Sequence, residues 1–155
     1  MSGAACDFHA EIAAFRAWAD TVPRSIRSAE WEIDYDGWPA ITAAVGPFLA
    51  ATARLSGADI AAVLYVLARD NECETVKDKL IGWPDHVLAL ARAGVHGGEI
   101  DARWQLADVL GCVIADDARV AALLETYLAD PDEAVRRRAR RAADRWADRR
   151  GVTRR

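Results

Sequence analysis

Apolar residues recur three and four positions apart along nearly the whole of this chain, and that spacing restricts it to helices. Phe8, Ile12, Phe15 and Trp18 or Ala19 mark an amphipathic helix from about Asp7 to Asp20. Ile41, Val45, Phe48, Thr52 and Leu55 keep the face of a second. Pro47 is expected to kink or divide that helix, because it removes a backbone donor and crowds the preceding turn. Ala58 to Ala68 is apolar on every side, which predicts a helix at the centre of the fold. A short helix around Glu74 to Ile81 follows, then one from Trp83-Pro84 to near Gly94, one from Glu99 to Leu110, and one that Asp116-Asp117 precede and that ends at Ala129. The final helix has a clear start in Asp130-Pro131-Asp132-Glu133. Asp130 is expected to cap the free amides, Pro131 to take the first helical position, and Glu133 to complete a capping box. Only Trp31-Glu32-Ile33-Asp34-Tyr35 alternates as a strand would, so the expected fold class is all-α.

Spacing between helices adds a repeat. Leu123-Leu124, then Leu128-Ala129-Asp130-Pro131-Asp132, then Val135-Arg136 with Ala139 and Ala143 form one unit. Ala102-Arg103, with Leu106 and Leu110-Gly111, echoes the second half of it at a distance within the range of helical-repeat periods. An apolar first helix, an Asp-Pro turn and a second helix opening on Val-Arg resemble a HEAT repeat. The specific resemblance covers about the last third of the chain, residues 99–147. It implies one HEAT-like domain over residues 1–155, a short α-solenoid of about four antiparallel helix pairs. It also implies that Arg103 and Arg136 are architectural, reaching an acidic turn residue of a neighbouring repeat, with Asp130 or Asp132 available. More loosely, Trp38 to Leu49, Ala68 to Glu72 and Ala102 to Ala107 resemble small bacterial HEAT proteins, among which are immunity proteins against secreted toxins.

Charge is partitioned along the chain. The net charge of −4 conceals +8 from Arg136 to Arg155, where ten arginines face Asp144 and Asp148. Residues 1–135 hold the other ten basic residues against 22 acidic ones, a net of −12. Blocks of like charge often serve as interaction surfaces. Asp70, Glu72, Glu74 and Asp78 gather at one inter-helix turn, where they are expected to project outward and bind a basic partner; the alternative is helix-terminus electrostatics on a solvated face. The basic helix, about residues 131–150, has its own two readings. It is a solvated end of the solenoid, or it offers Arg137, Arg140, Arg141 and Arg145 to nucleic acid.

Other chemistry is thinly represented. His9, His86 and His96 are scattered and no thiol cluster joins them, which argues against a metal site. Cys73 sits between Glu72 and Glu74, a setting that raises a thiol pKa, and no glycine-rich phosphate loop or nucleophile elbow is present. No catalytic residue and no cofactor is expected. Three cysteines, Cys6, Cys73 and Cys112, make no close pair and point to a reducing cytoplasm. Residues 1–9 do not resemble a signal peptide, and no apolar run is long enough to span a membrane. Of six tryptophans, Trp18, Trp104 and Trp146 fall on apolar faces, while Trp31, Trp38 and Trp83 lie near turns, where one or two would suit a partner anchor. The leading expectation is therefore a non-enzymatic scaffold, an immunity-type inhibitor of a basic protein. The alternative is nucleic-acid binding or repair, as in the HEAT-like alkylpurine DNA glycosylases. Those enzymes need a basic concave surface lined with aromatic and acidic residues, whereas here the basic charge is confined to one helix.

Overall fold

The computed structural model describes residues 7–27, 30–114 and 118–151; Cys6, Asp116, Asp117, Arg154 and Arg155 lie outside them. Every regular element among the described residues is helical, and none of the helices is long and apolar enough to cross a membrane. The chain divides into two compact units, Met1–Arg54 and Leu55–Arg155.

In the first unit, α1 (Phe8–Thr21) packs against α2 (Trp38–Ala51). Phe8, Ile12, Phe15 and Ala19 form one buried face, and Ile41, Ala44, Val45 and Leu49 the other. Asp7 caps α1 by accepting from the His9 amide at 3.0 Å, a contact of about 1 kcal/mol. Pro47 does not divide α2. The carbonyl that it deprives of a donor is on Ala43, an exposed residue where water can serve instead. The alternating stretch is no strand either: Trp31–Asp34 is a single 3₁₀ turn, following another at Arg24–Ile26. A strand would put Trp31, Ile33 and Tyr35 on one side. The turn instead puts Trp31 and Tyr35 on α1, against Trp18 and Phe15, and sends Ile33 outward.

The second unit holds α3 (Gly57–Leu67), α4 (Thr75–Leu80), α5 (Pro84–Gly97), α6 (Ile100–Leu110), α7 (Ala118–Leu128) and α8 (Glu133–Arg149). Ser56 and Asp59 form a reciprocal capping box at the start of α3. Within it α3 packs on α5 and α5 on α7; α4 packs on α6 and α6 on α8; and each helix touches the next in sequence as far as α8. The centre is α6, not α3. Ala102 and every residue from Trp104 to Leu110 are buried, whereas α3 buries Ala62, Val63, Val66 and Leu67 and leaves Ala58 and Ala61 exposed. An apolar residue as small as alanine tolerates the surface, so composition alone overstated the burial of α3. Gly111 permits the closest approach: a Cβ there would stand 2.6 Å from Ala142 Cα on α8.

The start of α8 also departs from expectation. The cap is Asp132, which accepts from the Ala134 and Val135 amides at 2.8 and 3.3 Å, and Pro131 lies outside the helix. Asp130 is otherwise engaged, by Arg103.

Candidate functional site

The acids of the α3–α4 turn do not form a free acidic face. Asp70 is only 7% exposed and accepts from the Val76 amide at 2.7 Å, so it closes the turn rather than projecting from it. Burial raises its pKa above the usual carboxylate value; the Val76 and Thr75 amides pull the other way, and Asp78 and Glu74 add to the rise. Glu74 has left-handed backbone, φ 52°, and faces both Lys77 and Arg138, the latter at 3.4 Å. Glu72 and Asp78 are exposed. The burial of Asp70 has a simple cause. A buried turn needs acceptors for its own amides, and Asp70 supplies one.

Beneath that turn lies a polar cluster that no sequence motif announced. Lys77, on α4, is buried and donates to Asp108 of α6 at 2.9 Å and to Glu74. Arg145 of α8 donates to the same Asp108 carboxylate at 2.6 Å and to its carbonyl at 3.0 Å. Burial works against charge on Asp108, but the bonds from Lys77 and Arg145 outweigh it and hold its pKa below the usual range. Burial likewise opposes the Lys77 ammonium, and Glu74 and Asp108 reverse the effect, raising its pKa. Arg138 lies 4.5 Å over the ring of Trp104, whose indole donates to Asp101 at 2.9 Å. One carboxylate therefore joins three helices. The available signal was Asp108 itself, an acid inside an otherwise buried helix, which must find partners or cost several kcal/mol.

At the other end Arg103 grips Asp130, from Nε to Oδ2 at 2.9 Å and from Nη2 to Oδ1 at 3.2 Å, and also donates to the Gly98 carbonyl at 2.8 Å. Asp130 further accepts from the Asp132 amide at 2.8 Å. Asp132 takes no part in the pair, being the cap. Arg136 turns back on its own helix start, to Glu133 and to the Asp130 and Pro131 carbonyls. A shallower bridge runs from Arg69 to Glu99 at 2.7 Å.

These contacts decide which arginines of α8 remain available. Arg136 and Arg140 hold Glu133, Arg138 holds Glu74, Arg145 holds Asp108, and Arg149 donates to the Gly111 and Cys112 carbonyls. Arg150 lies over Trp146 at 4.6 Å. Arg137 and Arg141, one turn apart and exposed, make no hydrogen bond or ion pair with another described residue.

The tryptophans are half-buried except Trp104, which is buried. Trp31 stacks on Trp18 with centroids 5.5 Å apart, and Trp83 stacks on the buried His86 at 5.8 Å. Among the described residues no three His, Cys, Asp or Glu side chains are placed to hold a metal ion. In comparison with known proteins, the chain matches no family profile, no curated protein and no solved structure.

Proposed function

We propose that this chain is a non-enzymatic, HEAT-like helical-repeat scaffold that binds a basic protein, in the manner of an immunity-type inhibitor working in a reducing cytoplasm. The contacts of α3 with α5 and α5 with α7, and of α4 with α6 and α6 with α8, support this reading. The observation that carries a protein partner over nucleic acid is the engagement of α8. Its arginines are largely held by carboxylates and carbonyls of the protein itself, so the +8 of the sequence leaves only Arg137 and Arg141 as unengaged cations among the described arginines of that helix. A phosphate contact gains from counterion release only where the cation is free to give. Arg137 and Arg141 by themselves support a salt slope of only about −2.

The test pairs affinity capture on the immobilised chain, from nuclease-treated lysate of the source cells, with anisotropy titrations of labelled duplex DNA and RNA. The expected result is a basic protein, captured alike by wild type and by Arg137→Glu with Arg141→Glu, and weak binding to both nucleic-acid probes. Tight probe binding with a slope well beyond −2, abolished by that double variant, would replace this reading with the nucleic-acid one.

A further inference from the structure

The first unit carries a surface that its own packing does not explain. From residue 28 to residue 53 the sequence has Glu30, Glu32, Asp34 and Asp36 and no basic residue. The part of this segment from Glu30 to Asp36 is held firmly from one side. Trp31 lies nearly parallel to Trp18, with an interplanar angle of 10°, and the Arg27 guanidinium covers its ring at 4.5 Å. Tyr35 stacks on Phe15 at 4.7 Å, and the Trp38 indole donates to the Glu32 carbonyl at 2.8 Å. With Trp31 and Tyr35 committed to α1, the turn has to present what lies between them. Ile33 is 57% exposed, and Ile26, in the preceding turn, is 63% exposed. Glu30, Asp34 and Asp36 are exposed too, and their side chains make no hydrogen bond or ion pair with another described residue. Glu30 is one of the two non-glycine residues among those described with left-handed backbone, φ 88°.

We propose that this surface docks a cationic segment of a protein partner that carries aliphatic side chains, the aliphatic groups covering Ile33 and the cations meeting Glu30, Asp34 and Asp36. The proposal rests on the scaffold reading above and gives it a location. Three physical arguments select the occupant. Exposed carboxylates that no described residue pairs steer cations and repel nucleic acid and anionic lipid surfaces. Exposed isoleucines gain only from an apolar counterpart. A surface already fixed by aromatic stacking loses little conformational entropy on binding. A second copy of this chain is a poorer occupant through α8: Arg137 and Arg141 supply charge, but that helix exposes no large apolar side chain.

The probe is a fluorescein-labelled amphipathic peptide of lysine and leucine, titrated by anisotropy into the full chain at low and high salt. Saturable binding is expected. Ile33→Ser, which leaves charge unchanged, and Asp34→Asn with Asp36→Asn should each weaken it about tenfold, roughly 1.4 kcal/mol. Glu72→Gln with Asp78→Asn, at the α3–α4 turn, should leave it unaltered, and circular dichroism should show all variants equally helical. Absence of saturable binding overturns the proposal. So does an equal loss in the Glu72 and Asp78 variant, which would reduce the effect to general charge attraction. Sedimentation velocity adds a third arm: self-association abolished by Arg137→Glu with Arg141→Glu would assign the surface to a second copy instead. A captured basic protein retained undiminished by Ile33→Ser would reject this surface and leave the scaffold reading standing, whereas failure to capture any basic protein would remove the reading itself.

Discussion

Asp70 and Asp130 occupy comparable places in the second unit, each in the link between two helices consecutive in sequence, and they are 7% and 8% exposed. Their chemistry differs. Asp130 meets a guanidinium along both oxygens and one backbone amide. Asp70 is served by backbone amides, and the charged groups that act on it are other acids. Equal burial thus yields a clamped anion in one turn and a strained one in the other. The difference comes from what reaches each turn: Arg103 extends from α6 onto Asp130, whereas Arg69, beside Asp70 in sequence, bonds away from it to Glu99, a residue at the surface.

The largest effect bearing on this contrast should come from outside both turns. Asp108→Ala leaves buried Lys77 and Arg145 short of their shared anion and should cost about 3–5 kcal/mol in urea denaturation, the usual consequence of breaking a buried pair from one side. A loss below 1 kcal/mol would mean that water replaces the carboxylate and that the cluster is peripheral. Next, Arg103→Ala strands Asp130 and should cost about 3 kcal/mol, with Arg103→Lys recovering less than half because an ammonium cannot span both oxygens. Should Asp70→Ala prove as costly as Arg103→Ala, the two turns would be energetically alike and the contrast would fail.

Asp70→Asn should cost less, below about 1 kcal/mol near neutral pH, since the amide oxygen can still accept from Val76 and the burial penalty on the charge is relieved. Its stronger signature is in pH. Folding raises the Asp70 pKa above 3.8, so the folded state binds the proton better and this residue adds stability as pH falls through its folded value. Asp108 is the reverse. Its pKa is lowered below 3.8, so its contribution is complete above that value and is lost as pH falls through the folded one. Thermal melts between about pH 3 and pH 6 should therefore show, in Asp70→Asn alone, loss of the gain on mild acidification while the steeper loss at lower pH persists. The smallest effect belongs to Arg137→Ala and Arg141→Ala, each within about 0.5 kcal/mol; a larger cost would show that these arginines are engaged after all.

Helix periodicity made the elements legible because it depends on local spacing alone, and it placed the eight α-helices among the described residues close to where they fall. What it misjudged were positions decided by contact with distant residues. Ala58 to Ala68 reads as central because its residues are apolar, but alanines at the surface cost little and α6, with Gln105 and Asp108 in its interior face, is the helix enclosed. Asp130 reads as a cap because it precedes Pro131, yet Arg103, 27 residues upstream, takes its carboxylate. Asp70 and Glu74 read as part of an outward acidic patch because like charges adjacent in sequence look alike, whether they face water or a buried lysine. The arginine helix is the same lesson in reverse, since a count of charges does not say how many are already paired.

One contact alters how the second unit should come apart. The other tertiary bonds described there join residues 27 to 38 positions apart, so each ties a helix to one nearby in sequence. Glu74 and Arg138 are 64 apart. A chain of purely adjacent links opens from a free end, one segment after another. A tie that passes over the middle segment, with Arg138 resting on Trp104 as it does so, removes that route: fraying of α8 uncovers the start of α4 at the same moment. Native-state hydrogen exchange should then find the amides of α4 and α8 opening as one cooperative event, and the short α4 should be as protected as a helix nearly three times its length.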